Sequence, residues 1–242
     1  MVSSLSLVLP MYNEEENIER MVEGCLGLGA VVAHEVEVVI VNDASTDKSG
    51  EIADRLASEH PEVRVIHHPK NRKLGGTLRT GFAAASKEYV LYMDSDLPIK
   101  MDDIPPAFAL LDGADMVIGY RISRAEGVRR AVMSYVYNRM IRLSFGLKVR
   151  DVNFSFKLFK RTLLDKITLC SEGSFIDAEF LIEATRAGCR IREHGFNYYP
   201  REKGVSNLSG MDVVLKILGE MSDYKKRRRE AVFAAREEYQ EH

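Results

Sequence analysis

The sequence is short of several things, and each shortage excludes a class of protein. Its 242 residues include three cysteines, Cys25, Cys170 and Cys189. They lie far apart and form no C-x-x-C pair. Neither a zinc site nor a disulfide framework is indicated, and a reducing compartment fits. No apolar run approaches the roughly 20 residues that span a bilayer. A membrane connection is therefore expected to be peripheral or through a partner. The opening stretch M-V-S-S-L-S-L-V-L-P has no basic flank and runs into acidic residues. It reads as a buried first strand rather than a signal peptide. Strong net charge is missing too: the formal value is −2. No global field draws in nucleic acid, and none is expected as a partner. Neither G-x-G-x-x-G nor G-x-x-x-x-G-K-[ST] occurs, which disfavours a dinucleotide site and a P-loop. There is no internal repeat and no low-complexity linker.

What is present is enough hydrophobic residue, 45%, for a full core. The first half alternates strands and helices. Strands are expected at Ser6–Pro10, Val36–Val41, Val63–His67, Tyr89–Met93 and Met116–Gly119. Helices are expected over 15–28, 48–59 (capped from Ser45-Thr46-Asp47) and 77–86, and one starting at Pro105-Pro106. The second half is less regular. Residues 128–145 and 175–187 look helical, Phe154–Lys160 alternates as a strand, and 190–199 looks extended. The fold class is α/β: a mostly parallel central sheet flanked by helices, with a C-terminal helical tail. The domain reading is one unit over 1–210 and an amphipathic, basic helix over 211–242.

In an open α/β sheet, ligands gather beyond the carboxyl ends of the strands. Strand one is followed there by Tyr12-Asn13-Glu14, strand two by Asn42-Asp43, strand four by Asp94-Ser95-Asp96, and strand five runs into Arg121. Carboxylates converging on one edge repel unless a cation or hydrogen-bonding ligand sits among them. Asp94-x-Asp96 at a strand end suits a hard divalent ion bound through oxygen. Gly75-Gly76 precedes a helix, where it would either let backbone approach a nucleotide or make an ordinary turn. His67-His68 lack spaced ligand partners and read as structural or exposed.

These residues carry a family resemblance. P-M-Y-N-E-E-E-N-I, V-N-D-A-S-T-D, N-R-K-L-G-G-T-L-R-T-G and D-S-D-L come in the order and spacing of family 2 glycosyltransferases. Further on, G-Y-R at 119–121, R-R-A-V-M-S at 129–134, D-V-N-F-S-F-K-L-F-K-R at 151–161 and R-E-K-G-V-S-N-L at 201–208 are similar to the polyprenyl-phosphate sugar synthases. The resemblance implies the GT-A fold and inverting transfer of a sugar from a UDP- or GDP-sugar to a lipid-linked phosphate such as a polyprenyl (dolichyl-type) phosphate. It also implies Mg²⁺ or Mn²⁺ as cofactor. The location it suggests is cytoplasmic, with a peripheral place on a membrane's cytoplasmic face as an extension.

It implies roles as well. Pro10, Tyr12, Glu14, Asp43 and Asp94 would bind the donor, with Arg201 on its diphosphate. Asp94 and Asp96 would hold the metal. Arg121, Arg130 and Ser134 would hold the acceptor phosphate, since the guanidinium fork matches phosphate. Asp177 is the candidate base if the acceptor is a hydroxyl; its other reading is an acid favouring a helix N-terminus. Arg130 has the other reading of a solvated helix face. Glu179 reads as structural. Two positions depart from the mannose-synthase pattern: Pro98 replaces a Gln, and Ser206-Asn207 replaces S-K. The donor's base and the metal's ligand set stay open. Rival readings are a hydroxyl acceptor in polysaccharide or glycoconjugate assembly, a nucleotide-binding module without catalysis and, further off, a pyrophosphorylase. In the tail, Met211, Val214, Leu215, Leu218 and Met221 form an apolar stripe followed by Lys225–Arg229. The stripe reads first as packing; the basic run would suit an anionic membrane or plain solvation.

Overall fold

The described residues form seven strands: Val2–Met11 (β1), Ala33–Asn42 (β2), Val63–His67 (β3), Tyr89–Met93 (β4), Met116–Arg121 (β5), Phe156–Lys160 (β6) and Ile191–Phe196 (β7). In this computed structural model, residues 1–95, 99–122, 128–197 and 211–240 are described. Among them the strands form one sheet in the order β3-β2-β1-β4-β6-β5-β7. β6 runs antiparallel to both neighbours and the other pairings are parallel. The expected α/β class with a mostly parallel sheet is the observed one.

The helices are Ile18–Val32 (α1), Ser49–Glu59 (α2), Lys73–Ala84 (α3), Pro105–Ala109 (α4), Val128–Phe145 (α5), Ile176–Arg186 (α6) and Met211–Gln240 (α7). Strand side chains alternate between two cores. Leu7, Val38, Leu91 and Val117 face a core shared with α1, α2 and α4. Val8, Val39, Val90 and Phe159 face the other, shared with α3, α5, α6 and α7. Both faces are covered, which is why β2 reads V-I-V without polar interruption. Each fully buried aliphatic side chain contributes roughly 1.5–3 kcal/mol.

Two of the boundaries that moved have plain physical reasons. β1 begins at Val2 because its pairing with β2 runs from Val2↔Ala33 to Met11↔Asn42, and Ser3 and Ser4 are held as well by side-chain hydrogen bonds to Glu88. α3 begins at Lys73, so Gly75 and Gly76 lie inside a helix and not in a loop. A Cβ on Gly75 would stand 2.1 Å from the Ser171 carbonyl oxygen, and the Gly75 N–H donates to the Glu172 carbonyl at 2.8 Å. Gly75 is small so that α3 can lie against that loop, which replaces both the nucleotide and the turn readings.

The tail helix packs on the second core, where Met221 of the expected stripe is joined by two residues from outside it. Ile217 and Tyr224 are buried there and Met221 is half-buried against them. Leu218 is half-buried, and the side chains of Met211, Val214 and Leu215 lie outside what is described. The Tyr224 hydroxyl donates to Glu183, and Glu220 accepts the Phe175 N–H at 3.0 Å. Within the basic run, Arg227 stands 3.8 Å from Glu179 and Arg228 stands 3.7 Å from Glu183. No described helix is long and apolar enough to cross a membrane.

Candidate active site at the carboxyl edge of the sheet

The strand order reverses at β1, with β2 leaving on one side and β4 on the other. That switch point opens a crevice beyond the strand ends. The loops after β1 and β2 flank it and are zipped together. The Asn13 N–H donates to Ser45 Oγ at 3.0 Å, and Asn13 Oδ1 accepts the Thr46 N–H at 2.8 Å. The Glu14 N–H donates to Ser49 Oγ at 2.7 Å, and Glu15 Oε2 accepts the Lys48 N–H at 3.0 Å. Asp47 caps the start of α2 by accepting the Ser49 N–H at 3.0 Å. Much of both motifs therefore serves to hold the edge in shape. Glu14 presents its carboxylate there, with Oε2 accepting from Asn17 at 2.8 Å. Tyr12 is 46% exposed. Asn13 and Ala44 take φ of 56° and 58°. Asn tolerates that region; at Ala44 it costs ~1–2 kcal/mol, strain of the kind that gathers at functional sites.

Asp43 is buried and its Oδ1 is doubly engaged, by the Arg72 N–H at 2.8 Å and by His68 Nδ1 at 2.7 Å. His68 is thus no loose structural residue: it touches the carboxylate expected to meet the nucleoside. The signal was available, since His68 follows β3 on the same edge. His67 is exposed and bonded to Asn42 and Asp54 at 2.9 Å each, as a structural residue should be.

β4 delivers Asp94 to the crevice. The Tyr92 hydroxyl donates to Asp94 Oδ1 at 3.0 Å. Next door, Ser95 Oγ donates to the Pro10 carbonyl at 2.8 Å, tying this turn to the end of β1. Asp96 lies outside the described residues. Opposite Tyr92 in the ladder is Lys157 on β6, 1% exposed. Its ammonium stands 5.3 Å from the Tyr92 ring centroid, donates to the Phe154 carbonyl at 3.0 Å and reaches Asp177 Oδ1 at 2.5 Å. A relay of contacts thus joins Asp94, Tyr92, Lys157 and Asp177. Burial pushes the Asp177 carboxyl up, Lys157 opposes that, and Asp151 adds to it. Asp177 does occupy the first turn of α6, but its partner is the Lys157 side chain. Lys157 went unread because F-K-L-F-K alternates like a half-exposed strand, whereas β6 is central and covered on both faces.

Arg121, at the end of β5, stands 2.9 Å from Asp151; the Asp151 side chain is buried and that of Arg121 is 11% exposed. Its guanidinium lies 5.8 Å from the Phe154 ring. Neither Asp151 oxygen receives a well-aimed hydrogen bond, nor does the Asn153 Oδ1 atom, so this corner is rich in buried acceptors. Ser134 sits on α5 with its carbonyl accepting from Asn138 at 2.9 Å. Arg130 is on the same helix, its side chain beyond what is described, and Arg201 lies outside the described residues. Glu179 is structural, as expected: Oε2 accepts the N–H groups of Cys170 and Ser171 at 3.0 and 2.7 Å.

Three strand ends thus each bring a carboxylate to this edge: Glu14 after β1, Asp43 after β2 and Asp94 after β4. The model of the family described as "Glycosyl transferase family 2" matches residues 6–168. The chain belongs to glycosyl transferase family 2. Glycosyltransferase AglD of Haloferax volcanii is 32% identical over 225 residues, covering 89% of this chain and 35% of the relative. Polyprenol monophosphomannose synthase of Mycolicibacterium smegmatis is 28% identical over 220 residues, covering 86% of this chain and 82% of the relative. Among solved structures, glucosyl-3-phosphoglycerate synthase from Mycobacterium tuberculosis, crystallised with Mn²⁺ and UDP-glucose, superimposes with a TM-score of 0.67 at 22% identity. That match covers 88% of this chain and 74% of the other, and it is a likeness of fold, GT-A. The chain spans about a third of the length of the Haloferax relative and about half of several undecaprenyl-phosphate transferases that it matches.

Proposed function

We propose that this family 2 glycosyltransferase moves a sugar from a nucleoside diphosphate-sugar, of uridine or guanosine, to a polyprenyl phosphate. Relatives named for prenyl-phosphate transfer support the acceptor class, among them the Mycolicibacterium mannose synthase. The observation that carries the reading is the pairing of Asp177. A hydroxyl acceptor needs a carboxylate base with a lone pair to spare. Burial moves Asp177 upward, as a base requires, but its side chain is 7% exposed and closed in an ion pair with the buried Lys157 ammonium at 2.5 Å, which leaves little of it open to an acceptor hydroxyl. An acceptor phosphate is already an anion and needs no base. Its oxygen attacks the anomeric carbon, the bond to the diphosphate breaks on the opposite face, and the configuration inverts. No proton has to move.

Asp43 and Glu14 would read the nucleoside at one side of the crevice, with Pro10 and Tyr12 beside them. Arg201 would meet the diphosphate, and Arg121, Arg130 and Ser134 would orient the acceptor phosphate. A divalent cation, Mg²⁺ or Mn²⁺, would neutralise charge on the departing diphosphate when bound. The residues fit in kind: Asp94 is a hard oxygen donor at the strand end, its rotation fixed by the Tyr92 hydroxyl. Among the described residues there is no group of three or more His, Cys, Asp or Glu able to hold an ion. Asp94 would therefore share the cation with Asp96 and with the diphosphate itself.

Asp177→Asn tests the acceptor class. The amide oxygen can still accept from Lys157, so turnover on a polyprenyl phosphate is expected to stay within about tenfold of wild type. A general base contributes roughly 10²–10⁴-fold. A loss in that range, in protein that melts as the parent does, would instead select the hydroxyl acceptor.

A further inference from the structure

We infer that His68 is a positioning residue for the donor's nucleoside: its Nδ1 proton pins Asp43 so that Oδ2 is the oxygen offered to an N–H of the base. The inference rests on the reading of Asp43 as the nucleoside contact and adds how that contact is built.

Asp43 Oδ1 faces two partners, the Arg72 N–H at 2.8 Å and His68 Nδ1 at 2.7 Å. An ionised carboxylate accepts and never donates, so Nδ1 must carry a proton. On the far side of the ring, Nε2 lies 2.9 Å from Thr80 Oγ1. The single Thr80 hydroxyl proton serves either Nε2 or the Gly76 carbonyl, 3.1 Å away, and Arg72 Nη1 donates to the same oxygen at 3.4 Å. Both ring nitrogens are thus engaged, and the His68 N–H is fixed too, donating to the Asn42 carbonyl at 2.9 Å. The His68 side chain is 5% exposed and that of Asp43 is 4%. Burial at that depth removes competing water, so the orientation of Asp43 is set by the protein. From behind, Asn71 Nδ2 holds the Asp43 carbonyl at 3.3 Å. The result is a carboxylate with Oδ1 occupied by two N–H groups. Oδ2 is then the acceptor for a ligand, and the donors it suits are the ring N–H of uracil or the N–H pair of guanine. Selectivity for a base edge needs such a fixed acceptor, because a carboxylate free to rotate would offer either oxygen to any donor.

The test is titration of UDP, GDP and inorganic pyrophosphate, each with Mn²⁺, into wild type, His68→Leu, His68→Asn and Asp43→Ala. Leu removes the Nδ1 proton, whereas the Asn amide places an N–H near the same point. For whichever nucleotide binds wild type more tightly, His68→Leu is expected to weaken binding about 10–100-fold, and His68→Asn to recover most of that loss. Pyrophosphate should bind all four proteins alike. Nitrogen-15 spectra of wild type should show His68 protonated at Nδ1. Wild-type affinity in His68→Leu, an equal loss for pyrophosphate, or a bare Nδ1 overturns the inference alone. Should Asp43→Ala also bind as wild type, the nucleoside reading of Asp43 falls with it.

Discussion

Lys157→Met is expected to destabilise the fold by about 3–5 kcal/mol, the cost of stranding one member of a buried ion pair. Lys157 and Asp177 are 1% and 7% exposed at their side chains, 2.5 Å apart. Without the ammonium, Asp177 would sit in an apolar second core beside Asp151, another acid. The Phe154 carbonyl would lose a donor as well. Replacing both partners removes the stranded charge, so Lys157→Met/Asp177→Leu should regain most of the loss. Urea denaturation midpoints measure this directly. A single mutant as stable as wild type would mean that the pair is not closed in solution, and the argument that Lys157 occupies Asp177 would lose its footing.

Asp94→Ala is expected to abolish metal-dependent nucleotide binding and to lower turnover by about 10³-fold or more, while leaving the fold intact. The second expectation follows from position: Asp94 lies past the end of β4, outside both apolar cores. The first follows from chemistry, since losing one of two carboxylates from an oxygen-bound site removes half of its charge. Tyr92→Phe makes a graded control. It deletes the hydroxyl that donates to Asp94 Oδ1 and should cost about tenfold, because it loosens the ligand without removing it. Titration of UDP and GDP with and without Mn²⁺ reads both variants. Undiminished binding by Asp94→Ala would move the donor site elsewhere.

The edge of the sheet was legible because apolar runs end there in polar residues. Y-V-L-Y-M followed by Asp94 located β4 to the residue, and V-R-V-I-H did the same for β3. The carboxylates at strands one, two and four were found by the same rule. What escaped was whatever depended on strand order. Lys157 alternates with Phe156 and Leu158 as though it faced water. Only the placement of β6 between β4 and β5 shows that its face is buried. Asp151 escaped likewise, since its meeting with Arg121 depends on the approach to an antiparallel strand. Gly75 looked like a residue for close backbone approach to a nucleotide, or for a turn, because close packing against Ser171 leaves no mark in local sequence. In the tail, the apolar stripe was legible at Met221, but its neighbours Ile217 and Tyr224, the buried pair, were not, since Tyr224 enters the core with Glu183 and Arg186 as partners.

The account turns on the acceptor, and product analysis tests it most directly. The protein would be incubated with Mn²⁺, a panel of UDP- and GDP-sugars, and either a polyprenyl phosphate or the corresponding polyprenol, and the lipid products weighed by mass spectrometry. The account predicts a glycosyl phosphoprenol from the phosphate and no product from the alcohol, with one nucleoside diphosphate released per sugar transferred. Transfer to the polyprenol or to a saccharide hydroxyl, with none to the phosphate, would contradict it and return Asp177 to the role of base.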